Sequence, residues 1–203
     1  MQYVTRAELL EVCRLVYDRH LTNAGGSNFS GRLSPDSVLL TTTGNAKRNR
    51  LRMSPDDLLH VRLNGEVLEG HGQLSSSWPT HLGLYQAFAD VGAVIHAHPL
   101  YTTVFAAQHQ DLPVLLDGMK KYGPIPVLSG RNRIDSPEFV VEVVDCFREH
   151  QGVLSKTGFG VLYPKHGALV AGPTLDDAFD LLERMEFNAV AVLFGKLLEG
   201  QAH

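Results

Sequence analysis

The chain has 203 residues, 44% hydrophobic and 20% charged, enough to bury a sizeable core within a single soluble domain spanning residues 1–203. A formal net charge of −4 and a sequence pI near 6.2 offer no basic field for nucleic acid or for an acidic membrane surface. The start, MQYVTRAELLEV, lacks a signal-peptide pattern and no apolar run is long enough to span a membrane, so the expected location is the cytoplasm.

Thr5-Arg6-Ala7-Glu8 fits a capping box, and Leu9, Leu10, Val12, Cys13, Leu15 and Val16 follow at helical spacing, predicting a first helix to about His20. Cys13 here and Cys146 later both fall in helical patterns, as thiols rather than a disulfide. Thr22-Asn23-Ala24-Gly25-Gly26-Ser27-Asn28-Phe29-Ser30-Gly31-Arg32 reads as a glycine-rich loop entering a strand. Val38-Leu39-Leu40 is a second strand, ending in Thr41-Thr42-Thr43-Gly44-Asn45. Each loop presents backbone N–H and hydroxyl donors suited to an anion, and each is equally explained by turn chemistry.

Residues 58–63 and 66–68, joined by Asn64-Gly65, read as a hairpin. Ser75-Ser76-Ser77-Trp78-Pro79 leads into a helix through Phe88, with a serine as cap and Pro79 in the first turn. A helix start preceded by surplus hydroxyls suits phosphate or carboxylate. Residues 91–98 form a strand that delivers His96-Ala97-His98 and stops at Pro99. A helix over 101–107 follows, then short strands over 112–116 and 125–128 around Asp117 to Gly123, where Lys120 and Lys121 read as a solvated face. Ser136-Pro137-Glu138 opens a helix to about Glu149. Strands over 160–163 and 168–171 flank Lys165-His166-Gly167, and Thr174-Leu175-Asp176-Asp177 caps a long helix ending near Gly200. The alternation predicts a three-layer α/β/α fold around a central mixed, largely antiparallel sheet.

Side chains two apart on a strand share a face, so His96 and His98 can aim at one point. Neutral imidazole is the commonest zinc ligand, and catalytic sites usually combine three protein ligands with an open position. A lone H-x-H is also compatible with two hydrogen-bonded histidines at a strand end; His166 is the candidate third ligand.

The ordered set Gly26-Ser27-Asn28-Phe29-Ser30-Gly31-Arg32, Thr42-Thr43-Gly44, Ser75-Ser76, His96-Ala97-His98-Pro99 and Lys165-His166-Gly167 resembles the class II aldolase/adducin family over nearly the whole chain. That family includes fuculose-phosphate aldolase, ribulose-phosphate 4-epimerase and methylthioribulose-phosphate dehydratase. The resemblance implies a divalent metal, zinc first and otherwise manganese, cobalt or iron, on His96, His98 and His166. It implies a pocket for the phosphate of a small anionic substrate at Asn28, Thr43, Gly44, Ser75 and Ser76. It also implies a homotetramer with active sites between subunits.

The family pattern reads Ser-Ser-Glu before this helix, and the glutamate is its catalytic acid/base; here that position is Ser77. A hydroxyl alone does not replace a carboxylate as proton acceptor. The family's catalytic tyrosine also lacks a clean match, with Asp117 and Tyr122 nearby, and Glu66 and Glu69 are further candidate carboxylates from elsewhere in the chain. Three readings follow. The first is a metal-dependent lyase cleaving a C–C bond in a hydroxy-ketone sugar phosphate through a metal-stabilised enediolate. The second is a decarboxylase on the same scaffold, and the third a non-catalytic, adducin-like binding module.

Overall fold

A computed structural model describes residues 3–24 and 26–200; Gly25 of the glycine-rich loop lies outside the described residues. The first helix, α1 (Arg6–Asp18), is fixed at its start by the expected reciprocal cap. The Glu8 N–H donates to the Thr5 hydroxyl at 3.3 Å, and the Thr5 N–H donates to Glu8 Oε2 at 2.7 Å. Strands β1 (Asn28–Ser34) and β2 (Ser37–Thr41) follow, then a short α2 (Asn45–Asn49) and the hairpin β3 (Leu58–Arg62) and β4 (Val67–Glu69). Next come α3 (Trp78–Ala87), β5 (Ala93–Ala97), α4 (Leu100–Ala107), α5 (Pro137–Glu149) and α6 (Gln151–Thr157). The chain closes with β6 (Phe159–Tyr163), β7 (Gly167–Gly172) and the long α7 (Leu175–Gly200).

The strands form one seven-stranded sheet in the order β4-β3-β2-β1-β5-β7-β6. Neighbouring strands pair antiparallel throughout, and the one parallel pairing among the described residues is the isolated bridge between Val127 and Leu162. Strand side chains alternate between two cores, which makes the three layers. Phe29, Leu39, Ile95 and Val170 pack with α1, α4 and α7 on one face. Val38, Leu40, Val94, Val161 and Leu169 pack with α3, α5 and α6 on the other.

The expected strands over 112–116 and 125–128 shrink to single bridges, Leu112–Ile125 and Val127–Leu162. Pro113, Pro124 and Pro126 have no N–H to donate to a ladder. The Leu115 and Leu116 N–H groups donate instead to Asn188 Oδ1 on α7, at 3.0 and 2.9 Å. Two short helices escaped the pattern reading, α2 and α6; α6 buries only Leu154 and so shows no apolar period. No helix among the described residues is long and apolar enough to cross a membrane.

Candidate metal centre and anion pocket

β5 places Ala93, Ile95 and Ala97 in the α1/α4/α7 core, which turns His96 to the other face, where it is buried. Its Nδ1–H donates to the Ala168 carbonyl on β7 at 2.9 Å, leaving the Nε2 lone pair for a ligand. The strand ends at Ala97, and extended backbone at Pro99 starts the next helix, so His98 keeps the alternation. His98 Nε2 lies 3.1 Å from His96 Nε2. Two ligands on one tetrahedral zinc at about 2.0–2.1 Å stand roughly 3.3 Å apart, so this pair is close to ligating geometry.

His166 arrives from the tight turn between β6 and β7. Lys165 adopts φ +58°, its N–H donates to the Ala106 carbonyl at 3.1 Å, and the His166 N–H donates to the Tyr163 carbonyl at 3.0 Å. Gly167 is sterically required: a Cβ there would lie 2.5 Å from the Ala97 carbonyl oxygen and 2.6 Å from His98 Cδ2. The His166 ring stacks parallel to His96 at 5.0 Å and meets His98 edge-on at 4.7 Å. One ligand atom from each of the three imidazoles lies within 4.8 Å of the others.

Burial pushes the His96 pKa well below its ordinary value, and the neighbouring imidazoles push it further. Burial, then His166, takes His98 down to about 4. Burial lowers His166 as well, partly offset by the charge of Asp135. All three rings are therefore neutral near pH 7, the form that binds a metal. The residues fit a divalent ion.

The histidines form one part of the wall of a cavity of about 320 Å³. Asn28, Thr43, Gly44, Ser75, Ser76 and Ser77 line the same cavity, so the structure gathers both expected loops, the serine run and the histidines at one place. Asn28 stands directly opposite His96 in the β1–β5 register, which explains why the first loop reaches the histidine end. Asn28 Oδ1 and Ser75 Oγ are buried there with no partner among the described residues, as expected of atoms that await a ligand. Lys47 on α2 also lines the cavity and adds a cation that pattern reading did not single out. Its five-residue helix, Asn45-Ala46-Lys47-Arg48-Asn49, carries no apolar period that would mark it in sequence.

Ser77 corrects the expectation of a capping serine. It occupies the N-cap position of α3, yet its hydroxyl makes no capping bond. It donates instead to Asp135 Oδ2 at 3.1 Å, while Thr80 Oγ1 donates to Asp135 Oδ1 at 3.2 Å. Asp135 sits in left-handed backbone at φ +65°, a conformation that Asp tolerates better than most side chains. Burial raises its pKa, opposed by the hydrogen bonds from Ser77 and Thr80 and by the nearby His166.

The other candidate acids and the tyrosine are not at this cavity. Asp117 is exposed and paired with Lys120 Nζ at 2.6 Å. The Tyr122 hydroxyl donates to Asp180 Oδ2 on α7 at 2.7 Å. Glu66 pairs with Arg62 at 2.6 Å and Glu69 with Arg6 at 2.9 Å. None of the four lines the histidine cavity of this chain.

A family model described as "Class II Aldolase and Adducin N-terminal domain" matches residues 7–193. The chain is 27% identical over 198 residues to a methylthioribulose-1-phosphate dehydratase of Marinobacter nauticus, covering 92% of this chain and 91% of that one. It is 29% identical over 192 residues to the enzyme of the same name from Pseudomonas savastanoi, covering 89% of each. Among solved structures it resembles L-fuculose-1-phosphate aldolase from Thermus thermophilus, with a TM-score of 0.81, 26% identity and coverage of 98% and 97%. Another L-fuculose 1-phosphate aldolase also gives 0.81, at 25% identity, covering 95% of this chain and 86% of that one.

Proposed function

The chain belongs to the class II aldolase and adducin family, and on that premise we propose that it is a divalent-metal-dependent lyase acting on a small ketose 1-phosphate. The observation that carries this reading is one cavity whose wall holds both three neutral, convergent imidazoles and two buried polar atoms, Asn28 Oδ1 and Ser75 Oγ, that lack a partner among the described residues. The names of the relatives support the substrate class, since methylthioribulose-1-phosphate and L-fuculose 1-phosphate are both phosphorylated ketoses.

When bound on His96, His98 and His166, a divalent ion, zinc as first choice and otherwise manganese, cobalt or iron, supplies Lewis acidity toward the substrate's oxygens. The Ala168 carbonyl holds the His96 tautomer that keeps Nε2 available. Asn28, Ser75 and Ser76 offer polar side chains to the phosphate, Thr43 and Gly44 frame it, and Lys47 supplies charge. Fixing the phosphate sets which carbon lies against the imidazoles, so binding energy is spent on orientation.

Aldol cleavage is our first reading of the reaction. Dehydration is the second, favoured by the dehydratases among the relatives. Decarboxylation would suit a site with no carboxylate near position 77, and Asp135 in contact with Ser77 takes away that reason for it. An adducin-like module without chemistry would leave three ligand-ready imidazoles and two orphaned polar atoms with no role. We propose a homotetramer, supported by the exposed apolar side chains Leu100 and Val104 on α4 and Phe187, Phe194 and Leu197 on α7.

The test is a panel of ketose 1-phosphates, including L-fuculose 1-phosphate and methylthioribulose 1-phosphate, given to metal-loaded and metal-stripped protein. Release of dihydroxyacetone phosphate identifies aldol cleavage, and a product lighter by one water identifies dehydration. Absence of any metal-dependent product across the panel contradicts the proposal.

A further inference from the structure

We infer that Ser77 and Asp135 act together as a two-part proton relay: the Ser77 hydroxyl faces the substrate, and the Asp135 carboxylate accepts and returns the proton through it. The inference rests on the lyase reading above and assigns the acid/base role that the serine at position 77 would otherwise leave empty. Ser77 is among the residues that line the histidine cavity and Asp135 is not, so the carboxylate meets the cavity through the residue its oxygen is hydrogen-bonded to. The contact is 3.1 Å, and the second oxygen of Asp135 is held by Thr80 at 3.2 Å, so the carboxylate is fixed at both ends.

Two further observations separate this arrangement from ordinary packing. A serine at a helix N-cap normally turns its oxygen to accept from the helix N–H groups, and Ser77 forgoes that bond. Asp135 reaches Ser77 from left-handed backbone at φ +65°, one residue before the cap of α5, a conformation that costs energy for a residue with a Cβ. Ionised, the carboxylate accepts from both hydroxyls and lacks a proton of its own; this is the form ready to take one. Its half-burial and raised pKa place it closer to the balance point that general acid/base work favours.

The step balances as follows. A C–H bond next to the substrate carbonyl breaks and its electron pair stays with the substrate as an enediolate. The proton passes to Ser77 Oγ as the Ser77 O–H bond breaks and that proton passes to Asp135 Oδ2. The reverse transfer delivers a proton to carbon and restores the Asp135 carboxylate. Asp135 acts through Ser77, so it is a positioning and proton-storing residue, and Ser77 is the group that meets the substrate.

The experiment uses dihydroxyacetone phosphate, the three-carbon half that aldol cleavage of a ketose 1-phosphate releases, with zinc-loaded protein in deuterium oxide. Exchange of its carbon-bound hydrogen is followed by NMR. Asp135→Asn and Ser77→Ala should each slow exchange by about 10²–10⁴-fold. The double variant should lose no more than either single one, because the two act as a unit. Zinc content and inhibition by inorganic phosphate should stay at wild-type values, and any fall in melting temperature should be limited to a few degrees, about what the loss of one part-buried hydrogen bond brings. Ser77→Glu combined with Asp135→Asn puts a carboxylate back at position 77 and should recover at least tenfold over Asp135→Asn alone, which lost packing would not do. Exchange within a few-fold of wild type in either single variant overturns the relay while leaving the lyase reading intact, as does failure of the combined variant to recover. No exchange by wild-type protein overturns the relay and aldol cleavage with it, while dehydration is tested separately by the ketose 1-phosphate panel.

Discussion

At the metal end, one hydrogen bond decides which nitrogen of His96 is offered, because the Ala168 carbonyl ties up Nδ1. At the proposed phosphate end the cation is Lys47, whose removal leaves every hydroxyl in place. Lys47→Met should raise KM for a ketose phosphate roughly tenfold, about 1.4 kcal/mol, with kcat little changed, as for lost uniform binding. A residue far from the site gives a cleaner pH test. Burial pushes the Asp180 pKa up, but hydrogen bonds from Arg184, Tyr122 and Lys121 outweigh it and hold the carboxyl near 2. A lowered pKa stabilises the fold above the ordinary aspartate value, and that contribution fades as pH falls toward 2. The melting-temperature gap between wild type and Asp180→Asn should therefore be full at pH 5 and shrink steadily below pH 4. For so exposed a group the gap stays within about 1 kcal/mol. The histidine cluster was legible in sequence because two of its members sit in one short motif. Asp135 was not: it meets Ser77 across 58 residues, and Ile134-Asp135-Ser136-Pro137 reads as a lead-in to a helix cap.

Among the elements, those with local signals are where the sequence places them. The reciprocal cap of α1 and the Ser136 cap of α5, which accepts from the Phe139 N–H at 3.3 Å, each need only a few neighbouring residues. The segment from 112 to 128 needs a distant partner, since Asn188 on α7 stands in for a missing strand. It accepts from Leu115 and Leu116 and donates to the Pro113 carbonyl at 2.8 Å. Asn188→Leu leaves those groups unpaired and should cost roughly 2–4 kcal/mol in denaturant unfolding. Gly167→Ala tests the turn that carries His166. Its Cβ would press on the Ala97 carbonyl and on His98, so zinc affinity should fall at least tenfold while the helical circular dichroism is retained. Unchanged zinc binding in that variant would show that the turn tolerates movement without losing the site.

For the whole molecule, a single antiparallel sheet between two cores brings β1, β5 and β7 together in the middle, and the loops at one end of these strands build the cavity. That assembly could not be read from any one motif, because β1, β5 and β7 are neighbours in the sheet but not in the sequence. The exposed Leu100, Phe187, Phe194 and Leu197 then look for cover, and light scattering should return about four times the 22.3 kDa chain mass. A monomer at micromolar concentration would reject the tetramer and leave the cavity argument untouched. The central claim is the three-histidine centre, and its most direct test is metal content by plasma mass spectrometry on untagged protein purified without chelators, beside His96→Ala. The account predicts about one divalent ion per chain in the wild type and none above background in the variant. A wild type that is empty and also refuses added zinc, manganese, cobalt and iron would contradict it.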